Sequence, residues 1–289
     1  MVTFTTLIGA AVLRDRLAEP GLAVIDCRFD LADPEGGRRA YLQGHIPRAR
    51  YADLNRDLSA PVSASSGRHP LPAPAAFAST LQRLGVARAT QVIAYDDSGG
   101  AFAARAWWLL RWMGHEAVAV LDGGIKAWIS SGGRLESGEA EPLAAAPRGN
   151  DELSAQVDAA AVIDAAEVAA RLKDPDFLLI DARAAERFAG SVEPIDTVAG
   201  HVAGAVNQPF SANLGADGRF LPAAELQRLW QQRLAGRRPE QVAAMCGSGV
   251  TACHNLLSLE LAGFRGAKLY AGSWSEWIRD PSRPIARGA

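Results

Sequence analysis

The chain has few of the residues that build disulfide-bonded, zinc-bound or membrane-spanning proteins. Only three of its 289 residues are cysteine, namely Cys27, Cys246 and Cys253, and no two of them form a C-x-x-C pair. So few thiols, odd in number, exclude a disulfide scaffold and lack the spacing of a zinc site. No stretch approaches the roughly 18 uninterrupted apolar residues of a transmembrane helix. The first residues also lack the pattern of a secretory signal, a basic start followed by a long apolar run. We therefore expect a protein of a reducing compartment, the cytoplasm, without a membrane partner.

A large excess of charge of one sign is also lacking. The sequence holds 30 Lys and Arg against 32 Asp and Glu, for a net charge of −2. A balance this close to zero gives no broad basic surface for nucleic acid, so no nucleic-acid partner is expected. Hydrophobic residues make up 48% of the chain, which is ordinary for a globular protein. At about 100–200 residues per domain, this length predicts two domains.

Four sequence blocks of the first half return in the same order in the second, about 150 residues later. LAVIDCRFD (22–30) matches FLLIDARAAERF (177–188), GHIPRA (44–49) matches GHVAGAVNQPF (200–210), VIAYDDSGG (92–100) matches VAAMCGSGV (242–250), and LDGGIKAW (121–128) matches YAGSWSEW (270–277). The period is too long for a solenoid unit and indicates a duplicated domain. We predict an N-terminal domain over 1–138, a linker rich in Pro, Gly, Ala and acidic residues over 139–155, and a C-terminal domain over 156–289.

Each half alternates short apolar runs with longer stretches of helical periodicity. LAVIDCR and FLLIDAR are typical of buried parallel strands that end in an aspartate, and QVIAYDD and QVAAMCG predict a second strand in each half. Each second strand is followed by glycines and then by Ala and Leu at helical spacing, joined in the first half by Trp. This order predicts an α/β fold in which each domain is a parallel sheet flanked by helices.

Cys246 stands where the second strand of the C-terminal half runs into the loop CGSGVT. Ligands of open parallel sheets bind at the carboxyl ends of strands. Two glycines let this backbone curl tightly, so that several N–H groups and the start of the next helix face one point. These groups favour an anion, whether a thiolate, a persulfide or a small oxyanion. The equivalent loop of the first half begins with Asp96, so the N-terminal domain is predicted to be catalytically silent. Cys27 and Cys253 are predicted to be structural.

These blocks resemble the tandem-domain sulfurtransferases of the rhodanese superfamily over residues 5–280. The most specific element, CGSGVTAC (246–253), is similar to the active-site loop of 3-mercaptopyruvate sulfurtransferases. Thiosulfate sulfurtransferases of this architecture carry Arg and Lys just after the cysteine, whereas this chain has the neutral Gly247 and Ser248. The difference favours a singly charged organic donor.

The resemblance also implies roles for individual residues. It assigns Cys246, Ser248 and His69 to catalysis, and Arg187 to the donor carboxylate, which a planar guanidinium can grip with two bonds. Gly247, Gly249, Val250 and Thr251 complete the predicted binding loop. The acid of the family's Ser-His-Asp relay aligns with Asn55, with Asp53 and Asp57 nearby. A second substrate arginine of the family has no counterpart in SVEPIDTVAGH (191–201), where Asp196 is acidic, and Arg68 is a candidate substitute.

The expected reaction transfers a sulfur atom from 3-mercaptopyruvate through a Cys246 persulfide to a small thiol, thioredoxin or cyanide. It requires neither a metal nor an organic cofactor. One alternative is thiosulfate as the donor through the same persulfide, and another is a sulfur carrier or sensor without fast turnover. A phosphatase needs an arginine six residues after its cysteine, but that position is Ala252.

Overall fold

The computed structural model describes residues 3–141 and 156–288. Most of the predicted linker, residues 142–155, therefore lies outside the described residues. The chain forms two compact units, each of which includes a short segment of the other half. The first unit comprises 1–60, 72–158 and 217–219, and the second comprises 61–71, 159–216 and 220–289.

The first unit alternates strands and helices through most of its length. Its strands are β1 (Leu7–Ile8), β2 (Leu22–Asp26), β3 (Arg50–Tyr51), β4 (Gln91–Tyr95) and β5 (Val118–Leu121). Its helices are α1 (Ala10–Arg16), α2 (Gly36–Gln43), α3 (Pro74–Arg83), α4 (Ala103–Trp112) and α5 (Gly124–Ser130). The strands pair in parallel in the order β1-β5-β4-β2-β3. Because β4 and β5 lie inside the sheet, their side chains are almost all apolar and buried.

The second unit repeats this plan. Its strands are β6 (Leu178–Asp181), β7 (His201–Val202), β8 (Val206–Asn207), β9 (Val242–Met245), β10 (Lys268–Leu269) and β11 (Ile285–Ala286). Its helices are α6 (Ala165–Arg171), α7 (Ala185–Ala189), α8 (Ala223–Leu234), α9 (Thr251–Leu261) and α10 (Ser273–Trp277). Short 3₁₀ turns occupy Ala159–Ala161, Phe210–Asn213 and Pro239–Gln241.

The main sheet of the second unit is parallel, with strand order β10-β9-β6-β8. A parallel bridge between Val162 and Leu269 takes the place that β1 has beside β5. The antiparallel pair of β7 with β11 is an addition to the repeated plan. The predicted α/β class, with a parallel sheet flanked by helices in each half, is confirmed. Among the described residues, no helix is long and apolar enough to cross a membrane.

The same buried ion pair closes the first long strand of each unit. In the first unit, Asp26 at the end of β2 accepts hydrogen bonds from the backbone N–H of Arg28 and from its Nε, both at 3.0 Å. In the second, Asp181 at the end of β6 accepts the same two bonds from Arg183, at 3.0 and 3.1 Å. Both carboxylates are fully buried. Each arginine also donates to a glycine carbonyl at 2.8 Å, that of Gly44 or Gly200, and so ties the strand end to the next turn.

The two histidines of the GH turns have equivalent surroundings in the two units. Nδ1 of His45 lies 2.9 Å from the Tyr41 carbonyl, and Nδ1 of His201 lies 2.8 Å from that of Phe188. Each ring stacks on the aromatic residue whose carbonyl it contacts, with centroids 4.1 and 3.7 Å apart.

Removing one member of a buried pair leaves the other charge uncompensated, which costs about 3–5 kcal/mol. We expect Asp26→Ala to lower the free energy of unfolding by this amount, because Arg28 loses its counter-ion and the Tyr95 hydroxyl loses its carboxylate acceptor. Urea denaturation measures the change. The control is Asp15→Ala, which removes an exposed carboxylate in a loose 3.7 Å ion pair and should change stability by less than about 0.5 kcal/mol. Equal effects of the two variants would contradict the structural importance of the pair.

Candidate active site

Cys246 follows β9 directly and lies at the carboxyl edge of the parallel sheet, only 2% exposed. Its sulfur accepts hydrogen bonds from the backbone N–H groups of Ser248, at 3.4 Å, and Gly249, at 3.1 Å. The loop then leads into α9, which begins at Thr251 with Val250 as its N-cap residue. The predicted cradle of N–H groups therefore forms around the sulfur of Cys246.

Gly249 is essential to the shape of this loop for two reasons. Its φ of +78° lies in the left-handed region that disfavours side chains. A Cβ atom at this position would also lie 2.4 Å from the carbonyl oxygen of Ala271, well inside van der Waals contact.

The segment 270–276 holds the cysteine loop through hydrogen bonds. Ser273 Oγ accepts the N–H of Cys246 at 3.0 Å, and the N–H groups of Trp274 and Ser275 donate to the carbonyls of Cys246 and Gly247. Ser273 is itself buried, with a φ of +54°. The repeat marked this segment as YAGSWSEW, but the pattern gave no sign that its serines hold the loop.

The other predicted catalytic residues come together beside the cysteine. Nδ1 of His69 lies 2.7 Å from the Ser248 hydroxyl, and both side chains are buried. His69 belongs to the segment 61–71, which is part of the second unit even though it precedes α3 in sequence.

The acidic candidates for a relay have other partners. Asp53 Oδ1 accepts the N–H groups of Asn55 and Arg56, and Asp57 pairs with Arg83. The described hydrogen bond of His69 at the site is the one with Ser248, and the role of Asn55, Asp53 or Asp57 stays a prediction.

Two arginines lie beside Gly247. A methyl group added to this glycine would be 2.8 Å from Nη2 of Arg68 and 3.7 Å from Nη1 of Arg187. Arg187 is the predicted carboxylate binder, on α7, and Arg68 is the candidate for the arginine that the loop 191–201 lacks. The structure thus brings both guanidinium groups to the same side of the cysteine loop.

Two acidic residues that sequence reasoning did not assign hold these arginines. Glu193 accepts from Arg187 Nη2 at 2.7 Å, and Asp196 accepts from the same nitrogen at 3.0 Å while also pairing with Arg68. Both carboxylates are 4% exposed. Burial acts to raise the pKa of Glu193, but hydrogen bonds from Arg187 and from the N–H groups of Asp196 and Ile195 outweigh it, so the pKa is lowered.

The side chains of the other two cysteines are also buried. Cys253 is fully buried in α9 and its thiol donates to the Gly249 carbonyl at 3.3 Å. Cys27 follows β2, and its thiol pKa is raised well above the usual value, first by burial and then by the neighbouring charge of Asp26. The described residues contain no cluster of His, Cys, Asp or Glu suited to a metal ion.

Both halves of the chain match the family model of the rhodanese-like domain, over residues 9–131 and 164–280. The chain belongs to the rhodanese-like domain family. The probable 3-mercaptopyruvate sulfurtransferase of Pseudomonas aeruginosa is 54% identical over 284 residues, which cover 98% of each chain. The putative thiosulfate sulfurtransferase SseB of Mycobacterium tuberculosis is 40% identical and covers 98% of this chain and 97% of its own.

Solved rhodanese-like structures agree with the sequence comparisons. The crystal structure of the 3-mercaptopyruvate sulfotransferase SseA from Escherichia coli superposes with a TM-score of 0.79 at 34% identity, covering 94% of this chain and 100% of that one. The family resemblance predicted from the CGSGVTAC loop and the repeated blocks is therefore confirmed.

The close approach at Gly249 predicts that even a methyl group displaces the loop. We expect Gly249→Ala to lower sulfurtransferase activity at least a hundredfold, because the N–H groups no longer converge on Cys246. The matched control is Gly263→Ala at the other end of α9. Gly263 has a similar φ of +87° but nothing within 4 Å of its would-be Cβ, so backbone strain of about 1–2 kcal/mol should be the only effect. Parallel losses of activity would contradict the steric explanation.

The different surroundings of the thiols predict selective alkylation. In native protein treated with iodoacetamide near pH 8, Cys246 should react first, and Cys27 should stay unmodified because its raised pKa leaves little thiolate. Mass spectrometry of tryptic peptides measures both sites over time. Urea-unfolded protein is the control, since all three thiols should then react at similar rates. Equal labelling of Cys27 and Cys246 in native protein would refute the assignment.

Proposed function

We propose that the protein is a sulfurtransferase that takes sulfur from 3-mercaptopyruvate and carries it as a persulfide on Cys246. The observation that carries the proposal is the cysteine loop itself: a sulfur at a strand end with two backbone N–H groups directed at it and a histidine–serine pair beside it. Relatives named as 3-mercaptopyruvate sulfurtransferases, one of them 54% identical over nearly the whole chain, support the choice of donor.

In the first step, the Cys246 thiolate attacks the sulfur of 3-mercaptopyruvate. An S–S bond forms and the C–S bond of the donor breaks, so its electron pair leaves with pyruvate enolate. Protonation at carbon then gives pyruvate. The Ser248 hydroxyl, hydrogen-bonded to Nδ1 of His69, is proposed to supply and recover a proton as this charge develops. The N–H groups of Ser248 and Gly249 hold the sulfur anion without reorganising.

In the second step, the thiolate of an acceptor attacks the outer sulfur of the persulfide, and Cys246 leaves as the thiolate. The acceptor is proposed to be a small thiol or thioredoxin, with cyanide as a laboratory substitute. The two half-reactions predict ping-pong kinetics. Arg187, beside Gly247, is proposed to hold the donor carboxylate, with Gly249, Val250 and Thr251 shaping the loop. A cytoplasmic location is part of the proposal, and the three free cysteines support it.

Thiosulfate is the second candidate donor, and one observation favours it. Two guanidinium groups, those of Arg68 and Arg187, lie beside Gly247, and a doubly charged donor gains from two cations. A relative that is 40% identical is named a putative thiosulfate sulfurtransferase. Both donors lead to the same Cys246 persulfide, so the alternatives differ only in the first half-reaction.

Steady-state kinetics with both donors test the proposal. We expect kcat/KM for pyruvate release from 3-mercaptopyruvate to exceed that for thiocyanate formation from thiosulfate at least tenfold, about 1.4 kcal/mol of transition-state preference. Cys246→Ser should abolish both activities. Cys253→Ser, seven residues further along the same segment, is the control and should retain them. A Cys246→Ser protein with full activity on either donor would refute the persulfide mechanism, and a preference for thiosulfate would change the donor alone.

A further inference from the structure

Arg68 is fixed to the same support as the cysteine loop. Its backbone N–H donates to Ser275 Oγ at 3.0 Å, and the N–H of Ser275 donates to the Gly247 carbonyl at 2.9 Å. The Arg68 side chain is 27% exposed. Its Nε atom is buried and has no hydrogen-bond acceptor among the described residues. Arg68 therefore lies at a set position beside Gly247 and keeps unused donor capacity.

Asp196 lies between Arg68 and Arg187 and contacts both. Its Oδ1 pairs with Nη1 of Arg68, and its Oδ2 accepts from Nη2 of Arg187 at 3.0 Å. The carboxylate is 4% exposed, so its charge is screened weakly by solvent. Burial and the charge of Glu193 raise the pKa of Asp196, whereas the two arginines oppose the rise. An internal carboxylate therefore already occupies the bridging position of the arginine pair.

The charges around this position balance. Glu193 is shared between Arg187 and Arg183, and Arg183 pairs with Asp181. Asp181, Arg183, Glu193, Arg187, Asp196 and Arg68 thus form a chain of alternating charges that sums to zero. Any anion that enters beside Gly247 is attracted by two guanidinium groups and repelled by Asp196. Attraction and repulsion both grow in proportion to the charge of the anion, so Asp196 cancels part of the advantage that two cations would give a dianion over a monoanion.

We propose that Arg68 and Arg187 together form the anion site for the sulfur donor, and that Asp196 is the residue that makes this site prefer a singly charged donor. The inference rests on the proposed function and deepens it. In this chain a neutral residue, Gly247, follows the cysteine, and the two cations beside it are offset by Asp196. The preference is thus set by a carboxylate distant in sequence, not by the residues of the loop alone.

The decisive variant is Asp196→Asn, which keeps the size of the side chain and one acceptor oxygen but removes the charge. The ratio of kcat/KM for thiosulfate to that for 3-mercaptopyruvate, measured with cyanide as the common acceptor at constant ionic strength, should rise at least tenfold. Glu186→Gln is the matched control, because it removes the negative charge of an exposed side chain on α7 that has no described side-chain contact with either arginine, and it should leave the ratio unchanged. If Asp196 merely positioned the arginines, kcat/KM would fall by the same factor for both donors and the ratio would not change. That result overturns the proposal.

Binding to protein that cannot turn over separates this inference from the proposed function. In the Cys246→Ser background, isothermal titration with pyruvate and with sulfate reports the affinity for a monoanion and a dianion. Adding Asp196→Asn should increase the affinity for sulfate at least tenfold more than the affinity for pyruvate. Adding Arg68→Gln should lower both affinities.

If these shifts appear while the protein with Cys246 intact turns over neither donor, the anion site stands and the proposed function fails. If turnover is as proposed but the relative affinities do not change with Asp196→Asn, the selectivity assigned to Asp196 is wrong. Unchanged binding after Arg68→Gln would likewise remove Arg68 from the site.

Discussion

The site depends on an unbroken chain of buried and partly buried ion pairs that runs from the end of a core strand to the cysteine loop. It begins at Asp181, fully buried at the end of β6, and reaches Arg68 through Arg183, Glu193, Arg187 and Asp196. Taking such charges out of water is costly, and their mutual attraction roughly offsets that cost, so the chain adds little net stability over apolar packing. The chain of ion pairs fixes the positions of Arg187 and Arg68, because each charged side chain is held by its neighbour in the chain.

The two units show what the loop does with and without a thiol. In the first unit Asp96 occupies the position of Cys246, and its carboxylate accepts four backbone N–H groups, those of residues 98, 100, 102 and 103, at 2.8 to 2.9 Å. The N–H groups of this loop therefore converge on one acceptor in both units. In the first unit the acceptor is the Asp96 carboxylate, whose pKa is raised by burial although these hydrogen bonds act to lower it. In the second unit the acceptor is the Cys246 sulfur, which carries the thiolate and the persulfide in the proposed mechanism.

Much of this arrangement could be predicted from the sequence because its signals are local or repeated. The apolar runs that end in Asp26 and Asp181, the helical stretches after Gly100 and Gly249, and the loop around Cys246 all follow from short-range patterns that occur twice. His69 and Ser248 were paired through the family resemblance, and they lie 2.7 Å apart. Glu193 and Asp196 were not assigned, since they lie in a segment without helix or strand, where no periodicity shows which side chains turn inward. Their partners are fixed by tertiary structure, in the case of Arg68 and Asp196 across 128 residues.

Each compact unit is discontinuous in sequence, so the duplicated chain cannot be cut between its repeats without dividing both units. Residues 61–71 belong to the second unit and residues 217–219 to the first, so each half lends a segment to the other. A fragment cut between the repeats would keep Cys246 and its loop but lose the histidine beside Ser248 and one of the two arginines beside Gly247. The N-terminal half is thus needed to complete the second unit. Neither half of the chain contains all the residues of one compact unit.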